Sequence, residues 1–201
     1  MIIRGEEITL RRLQREDLEL LRHWRNDPSI RQHMFFRQHI TREMQVSWFR
    51  TIDNQRNHYF IIDHDGDSIG MIHLSDIDVD DRIGFAGLFI YETRYQGTQV
   101  PVIASLVLLK LAFESFRLAR VHAKVRPENR RVRTYNERLG FQMRGDRTMV
   151  IDRAGYDRAT KSLMDLVPER FRQYQMELVR VRDIEEQDPD TPIRFHRIGR
   201  E

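Results

Sequence analysis

Apolar and polar positions along this chain change period repeatedly, and each change marks an element. Residues 7–13 alternate as a half-buried strand does, with Ile8 and Leu10 on one side. Residues 16–25 then place Leu18, Leu21 and Trp24 on one helical face, and Asp27-Pro28 ends that helix because the residue before proline is pushed out of the helical region. Thr41 is a natural N-cap for a second helix whose Met44, Trp48 and Ile52 recur at steps of four. Two apolar runs, 59–62 and 68–77, flank the turn-forming stretch 63–67 and predict a hairpin, and 83–90 adds the next strand of a meander. A long apolar helix is expected from Val100 to about Phe116, a strand over 120–126, a helix over 128–138, and a last hairpin whose arms, 141–152 and 156–167, turn at 153–155. From Pro168 the chain becomes strongly polar, which predicts an appended charged helix over 169–182 and a polar tail. The expected division is therefore a domain over 1–167 and a C-terminal extension over 168–201.

Composition narrows the class. At 201 residues, 40% hydrophobic and 32% charged, the chain is sized for one globular domain with its own core. Its longest apolar run, Val100 to Leu109, is too short for a membrane span. The first residues lack the basic start and apolar run of a secretory signal, so a cytoplasmic protein is expected. The absence of cysteine excludes disulfides, thiolate metal sites and cysteine nucleophiles. His58, His64 and His73 are not set at a metal-ligand spacing, and no metal is expected. Basic residues are 31 arginines against 3 lysines, yet the net charge of +3 is small and spread along the chain, so neither a nucleic-acid surface nor a membrane surface is indicated.

The chemistry concentrates between Gly87 and Phe141. A strand ending Gly87-Leu88-Phe89-Ile90 runs through a loop, Arg94-Tyr95-Gln96-Gly97-Thr98-Gln99, into the apolar helix. A strand that turns tightly into a helix leaves backbone amides unpaired, and such amides suit a pyrophosphate. The other phosphate-loop patterns, G-x-G-x-x-G and G-x-x-x-x-G-K-[ST], are absent. Downstream, Asn129 follows a strand, opens a short helix and stands eleven residues before the Gly140 of a Gly140-Phe141 pair. This order resembles the coenzyme A core of the GNAT acyltransferase superfamily, over nearly all of residues 1–167. The resemblance implies an α/β (α+β) GNAT fold: a mostly antiparallel, splayed mixed sheet of about seven strands with flanking helices. It also implies an N-acyltransferase of class EC 2.3.1 that uses acetyl-CoA or another acyl-CoA and moves the acyl group by direct attack of a primary amine.

On that resemblance the cofactor is expected at Leu88, Phe89, Ile90, Arg94, Tyr95, Gln96, Gly97, Thr98, Gln99, Val100, Asn129 and Asn136, with amides near Leu88 and Phe89 polarising the thioester carbonyl. The loop departs from the family pattern at Gln99 and Pro101, where further glycines are usual. The family's proton-donating tyrosine, four residues before the Gly of the Gly-Phe pair, is replaced by Asn136, with Tyr135 beside it. A base for the amine is expected among His73, Asp76, Glu92 and Glu43, His73 leading because it sits on a central strand and titrates near neutrality. The catalytic candidates are thus His73, Asn136, Tyr135 and Glu92. Trp24-Arg25-Asn26, with Arg31 and Trp48, resembles a signature of the branch holding ribosomal-protein N-terminal acetyltransferases and nucleotide-linked amino-sugar acetyltransferases, and these residues are expected to bind substrate. Acidic residues do not cluster between Glu16 and Asn54, whereas Arg22, Arg25, Arg31, Arg37 and Arg42 do, which favours an anionic acceptor over a polyamine. The expected acceptor is a nucleotide-linked amino sugar; the alternatives are a protein N-terminus or small amine, and a coenzyme A-binding module without catalysis. A homodimer is compatible with an antiparallel edge strand and the appended helix.

Overall fold

The computed structural model describes residues 2–4, 8–166 and 192–193. Among them one mixed sheet of nine strands forms the centre: β1 (Ile2–Arg4), β2 (Ile8–Arg12), β3 (His58–His64), β4 (Asp67–Asp78), β5 (Ile83–Ile90), β6 (Arg120–Lys124), β7 (Gln142–Met143), β8 (Thr148–Asp152) and β9 (Pro192–Ile193). Their order across the sheet is β7-β8-β6-β5-β4-β3-β2-β1-β9. Two strands are only two residues long, and the other seven make up the splayed, mostly antiparallel sheet expected from the sequence. The β3–β4 hairpin closes on Asp65 and Gly66, both at positive φ (51° and 85°), the geometry of a tight two-residue turn whose twist matches the strands.

Helices cover both faces. On one face lie α1 (Leu18–Asn26), the short α2 (Pro28–Arg31) and α3 (Arg42–Ile52). Leu18, Leu21 and Trp24 pack there with Ile61, Met71 and Phe89 of the sheet. Asp27 caps α2 by accepting from the Ser29 amide at 2.8 Å, and Thr41 caps α3 by accepting from the Met44 amide at 3.2 Å. On the other face α4 (Val100–Lys110), α5 (Arg130–Arg138) and α6 (Arg153–Leu166) close over a larger core that includes Phe60, Ile72, Ala104, Leu108 and Met149. α4 is buried along most of its length and widens into a π-turn at Leu111–Ser115.

One expected element is of the other type. Residues 153–166 form α6 rather than the second arm of a hairpin. Asp152 accepts from the Gly155 amide at 2.7 Å at the start of the helix, Arg153 pairs with Asp157 one turn on, and Tyr156 and Ala159 are buried on the same side. Apolar residues at 156, 159 and 163 follow the helical period, so the alternation read there was the wrong period. The charged helix expected over 169–182 lies outside the described residues, as does most of the polar tail; its Pro192–Ile193 pairs in parallel with β1 at the edge of the sheet.

The arrangement that positions the site is the parting of β5 from β6. Their parallel pairing runs from Ile83 opposite Arg120 to Ala86 opposite Ala123 and stops, whereas β5 stays paired with β4 as far as Ile90. Gly87 to Ile90 therefore keep one neighbour and lose the other.

Candidate active site

A single cavity of about 2180 Å³ opens where β5 and β6 part, and it is lined from both faces of the sheet. From the α4 side come the 94–100 turn, Ser105, Asn129, Tyr135 and Asn136; from the α1–α3 side come Arg25, Trp48, Tyr59 and His73.

The bare edge of β5 supplies the first set of groups. The Tyr91 amide donates to the Ile69 carbonyl at 2.8 Å on the β4 side, so by strand alternation the amides of Leu88 and Ile90 point the other way, into the gap. The Gln96 side chain donates to the Ile90 carbonyl at 2.9 Å, which confirms that direction and ties the turn to the strand. An extended, amide-bearing ligand arm can pair with such an edge as another strand would. Beyond it, Gly97 turns the chain at φ +84° into α4. The Gly97 and Gln99 amides have no partner among the described residues, and the Val100 amide is met by the Thr98 hydroxyl at 3.3 Å. Arg131 reaches the Gln96 side chain at 3.4 Å, and Arg130 opens α5 beside it. Unpaired amides at a helix start with arginines alongside fit the pyrophosphate of coenzyme A. Proline at position 101 removes no bond that the first turn of a helix would have made.

Asn129 caps α5, its Oδ1 accepting from the Val132 amide at 3.2 Å, which leaves its Nδ2 to donate into the cavity. The Asn136 side chain is buried and lines the cavity, and its amide can donate a hydrogen bond but not a proton at neutral pH. Tyr135 has its hydroxyl engaged: it donates to the Pro101 carbonyl at 2.7 Å and meets the Ser105 hydroxyl at 2.7 Å. Burial also holds the phenol well above its ordinary ionisation range. It joins α5 to α4 rather than standing free to donate a proton. Tyr135→Phe is accordingly expected to lower stability by about 1–2 kcal/mol, a shift of a few degrees in Tm, with kcat reduced by less than about tenfold. A loss of several decades in kcat with Tm intact would instead place the phenol at the leaving thiolate.

On the opposite face His73 lies across Gly87, its register partner on β5, and stacks on Tyr59 with ring centroids 4.7 Å apart. Trp48 packs edge-on against the same tyrosine at 5.1 Å. The His73 Nδ1 is buried and unpartnered. Burial first, and the nearby Arg25 guanidinium second, depress its pKa to about 4, so the imidazole is neutral and able to accept a hydrogen bond at neutral pH. Asp76 shares this end of the cavity, projected by an irregularity in β4 at which its φ is +50°.

The remaining expected residues are not brought here. Trp24 is buried in the core, stacked on Tyr91 at 5.6 Å, because one helical step of about 100° turns it away from Arg25. Asn26 fastens the segment after α2 by exchanging two hydrogen bonds with the Ile40 backbone (2.9 and 2.8 Å). Arg31 lies outside the cavity on α2, rotated away from its buried neighbour Ile30. Glu92 stands beyond the strand end, where its carbonyl holds the Tyr95 amide, and neither it nor Glu43 lines the cavity. The sequence reading missed Tyr59, Ser75, Phe85 and Gly87, all of which line it. A glycine inside the apolar strand 83–90 was the one available signal, since it marks a close approach.

The fold and this cleft define an acyl-transfer enzyme that works on coenzyme A thioesters. The chain matches the model of the acetyltransferase (GNAT) domain over residues 7–142 and belongs to that family; it is an N-acetyltransferase with acetyl-CoA as cosubstrate. The spermidine N(1)-acetyltransferase of Escherichia coli is 26% identical to it over 144 residues, which is 71% of this chain and 76% of that enzyme. Among solved structures, spermidine N-acetyltransferase from Vibrio cholerae in complex with CoA and spermine superposes with a TM-score of 0.68 at 20% identity, covering 76% of this chain and 99% of that one. A dodecameric structure of the Vibrio cholerae enzyme gives 0.62 at 19% identity, covering 76% and 97%. No group of His, Asp or Glu able to hold a metal occurs among the described residues, and no helix there is long and apolar enough to cross a membrane.

Proposed function

We propose that this chain transfers the acetyl group of acetyl-CoA to the primary amine of a small molecule by direct attack at the parting of β5 and β6. The observation that carries the reading is the juxtaposition, in one cavity, of the bare β5 edge with the neutral, unpartnered His73 on the opposite face. Coenzyme A supplies the activated acyl group. Amides at Leu88 and Ile90 face the region of the thioester and suit the carbonyl oxygen as it gains charge. His73 accepts a hydrogen bond from the incoming amine and takes its proton as the N–C bond forms, when the N–H becomes strongly acidic. Asn136 donates to the departing sulfur.

A small amine is favoured over the nucleotide-linked amino sugar or the protein N-terminus because the similar enzymes found act on spermidine. The test is thiol release from acetyl-CoA with a panel of small amines, nucleotide-linked amino sugars and N-terminal peptides, alongside a thermal-shift titration with coenzyme A. Release with a small amine and a rise in Tm with coenzyme A are expected. A Tm rise without release from any amine would leave a coenzyme A-binding module instead.

A further inference from the structure

The acceptor end of the cavity carries one arginine, Arg25, and one carboxylate, Asp76, rather than the cluster of carboxylates that a polyamine would call for. Among the described residues that line the cavity as a whole, Asp76 is the one carboxylate, against Arg25, Arg94, Lys124, Arg126, Arg130, Arg131 and Arg138. Several of these cations are already engaged or lie at the coenzyme A end. Arg94 pairs with Asp67, Arg126 with Glu128 and the Met34 carbonyl, and Arg131 touches Gln96 of the turn. Lys124 lies over the Phe85 ring.

Arg25 differs from all of them. It comes from α1 on the face opposite the turn, beside Tyr59 and His73. Its Nε is buried and has no hydrogen-bond partner, and no carboxylate pairs with it among the described residues. Burial alone pulls its pKa below the usual arginine range, and the opposing influence is only that of the Tyr59 hydroxyl. The residue as a whole is only partly buried, so its terminal nitrogens can still meet a ligand in the cavity, and a planar fork of this kind is suited to a carboxylate or a phosphate.

We infer that the acceptor is a primary amine that also carries a carboxylate or phosphate, and that Arg25 receives this anion while the amine faces His73. The inference rests on the proposed acetyl transfer and names its substrate class. The groups around the imidazole agree with it: Arg25 from α1, Tyr59 from β3, Asp76 farther along β4, and the bare backbone of Gly87 from β5. Because Arg25 is one of the two causes that hold His73 at low basicity, an anion seated on it makes the imidazole a better proton acceptor once the correct substrate is bound.

The experiment compares kcat/KM for matched amines: δ-aminovalerate with pentylamine and cadaverine, phosphoethanolamine with ethanolamine, and spermidine as the polyamine. An anionic amine is expected to exceed its neutral and cationic counterparts by at least about tenfold, the scale of one charge-assisted pair in a desolvated site, and whichever pair shows the preference separates carboxylate from phosphate. Arg25→Met should bring the ratio toward one, mainly through KM, and Arg25→Lys should keep part of it. Binding of valerate and of inorganic phosphate to the coenzyme A complex, measured by calorimetry on the wild type and on Arg25→Met, gives a readout independent of turnover. Preference for spermidine or cadaverine, or equal rates across each matched set, overturns the inference and leaves the acetyl transfer standing. Anion binding lost in Arg25→Met without transfer to any amine supports the anion site and overturns the acetyl transfer. Absence of both overturns the two together.

Discussion

Gly87→Ala lowers kcat for acetyl transfer by at least about a hundredfold, the scale expected when a reacting group is moved by an ångström, while Tm falls by only a few degrees. A methyl built on Gly87 runs into the Nε2 of His73, well inside van der Waals contact, and also crowds the rest of the ring at 3.1 Å. The ring cannot retreat toward β3, because Tyr59 stacks on its other side at an interplanar angle of 18°. It must therefore leave the stack and the mouth of the cleft. The strand loses little, since the pairing of β4 with β5 at His73 and Gly87 is made by backbone atoms. His73→Ala should show a comparable kcat, and the double variant should lose no more than either alone, because both act on one placement. Full turnover in Gly87→Ala with coenzyme A binding unchanged would remove His73 from the reaction.

Acidification from pH 7 to pH 4 is expected to cost much of the fold's stability, with two histidines contributing on the order of 3 kcal/mol each. His58 and His73 both have pKa values depressed to about 4, chiefly by burial, with Arg12 the second cause for His58 and Arg25 for His73. Between their ordinary value near 6.5 and about 4, the unfolded chain binds protons that the folded one refuses. Stability is therefore complete above the ordinary value, declines as the pH falls through that window, and stops declining for this reason below about 4. His58 is held by the Gln55 carbonyl at 3.0 Å and by the Phe116 ring at 4.7 Å, away from the cleft, so His58→Gln separates stability from chemistry. Guanidinium unfolding midpoints at several pH values should fall in the wild type across this window and fall less steeply in His58→Gln. A flat midpoint would mean that neither imidazole is as desolvated as its surroundings indicate.

The parts of the fold that could be read from the chain are those decided locally. Asp65-Gly66 fixes a turn by its own φ preferences, Thr41 caps whatever helix follows it, and a ten-residue apolar run has few outcomes but burial. The error at residues 153–166 arose where both periods were present and tertiary packing of Tyr156 chose between them. The candidate site divided along the same line. The turn from Arg94 to Val100 was legible because its chemistry lies in consecutive backbone amides, whereas the acceptor end is assembled by register between distant strands. Tyr59 meets His73, and His73 meets Gly87, only because β3, β4 and β5 align in that way. Residue type singled out Trp24, Arg25 and Asn26 together, but neighbours on a helix diverge by about 100°, and only Arg25 reaches the cavity.

The cavity is lined from both faces of one sheet, so its two substrates can be proposed to enter from opposite sides. On the proposed placement the nucleotide end of coenzyme A would approach by the α4 side and the acceptor by the α1–α3 side, so neither need wait for the other to leave. The kinetic pattern should accordingly be sequential, with intersecting rather than parallel double-reciprocal lines. The acetylated amine can depart while the thiol product is still seated. A conjugate joining the two substrates would be threaded through the sheet and could withdraw from one side only, which makes slow release its distinguishing property as an inhibitor.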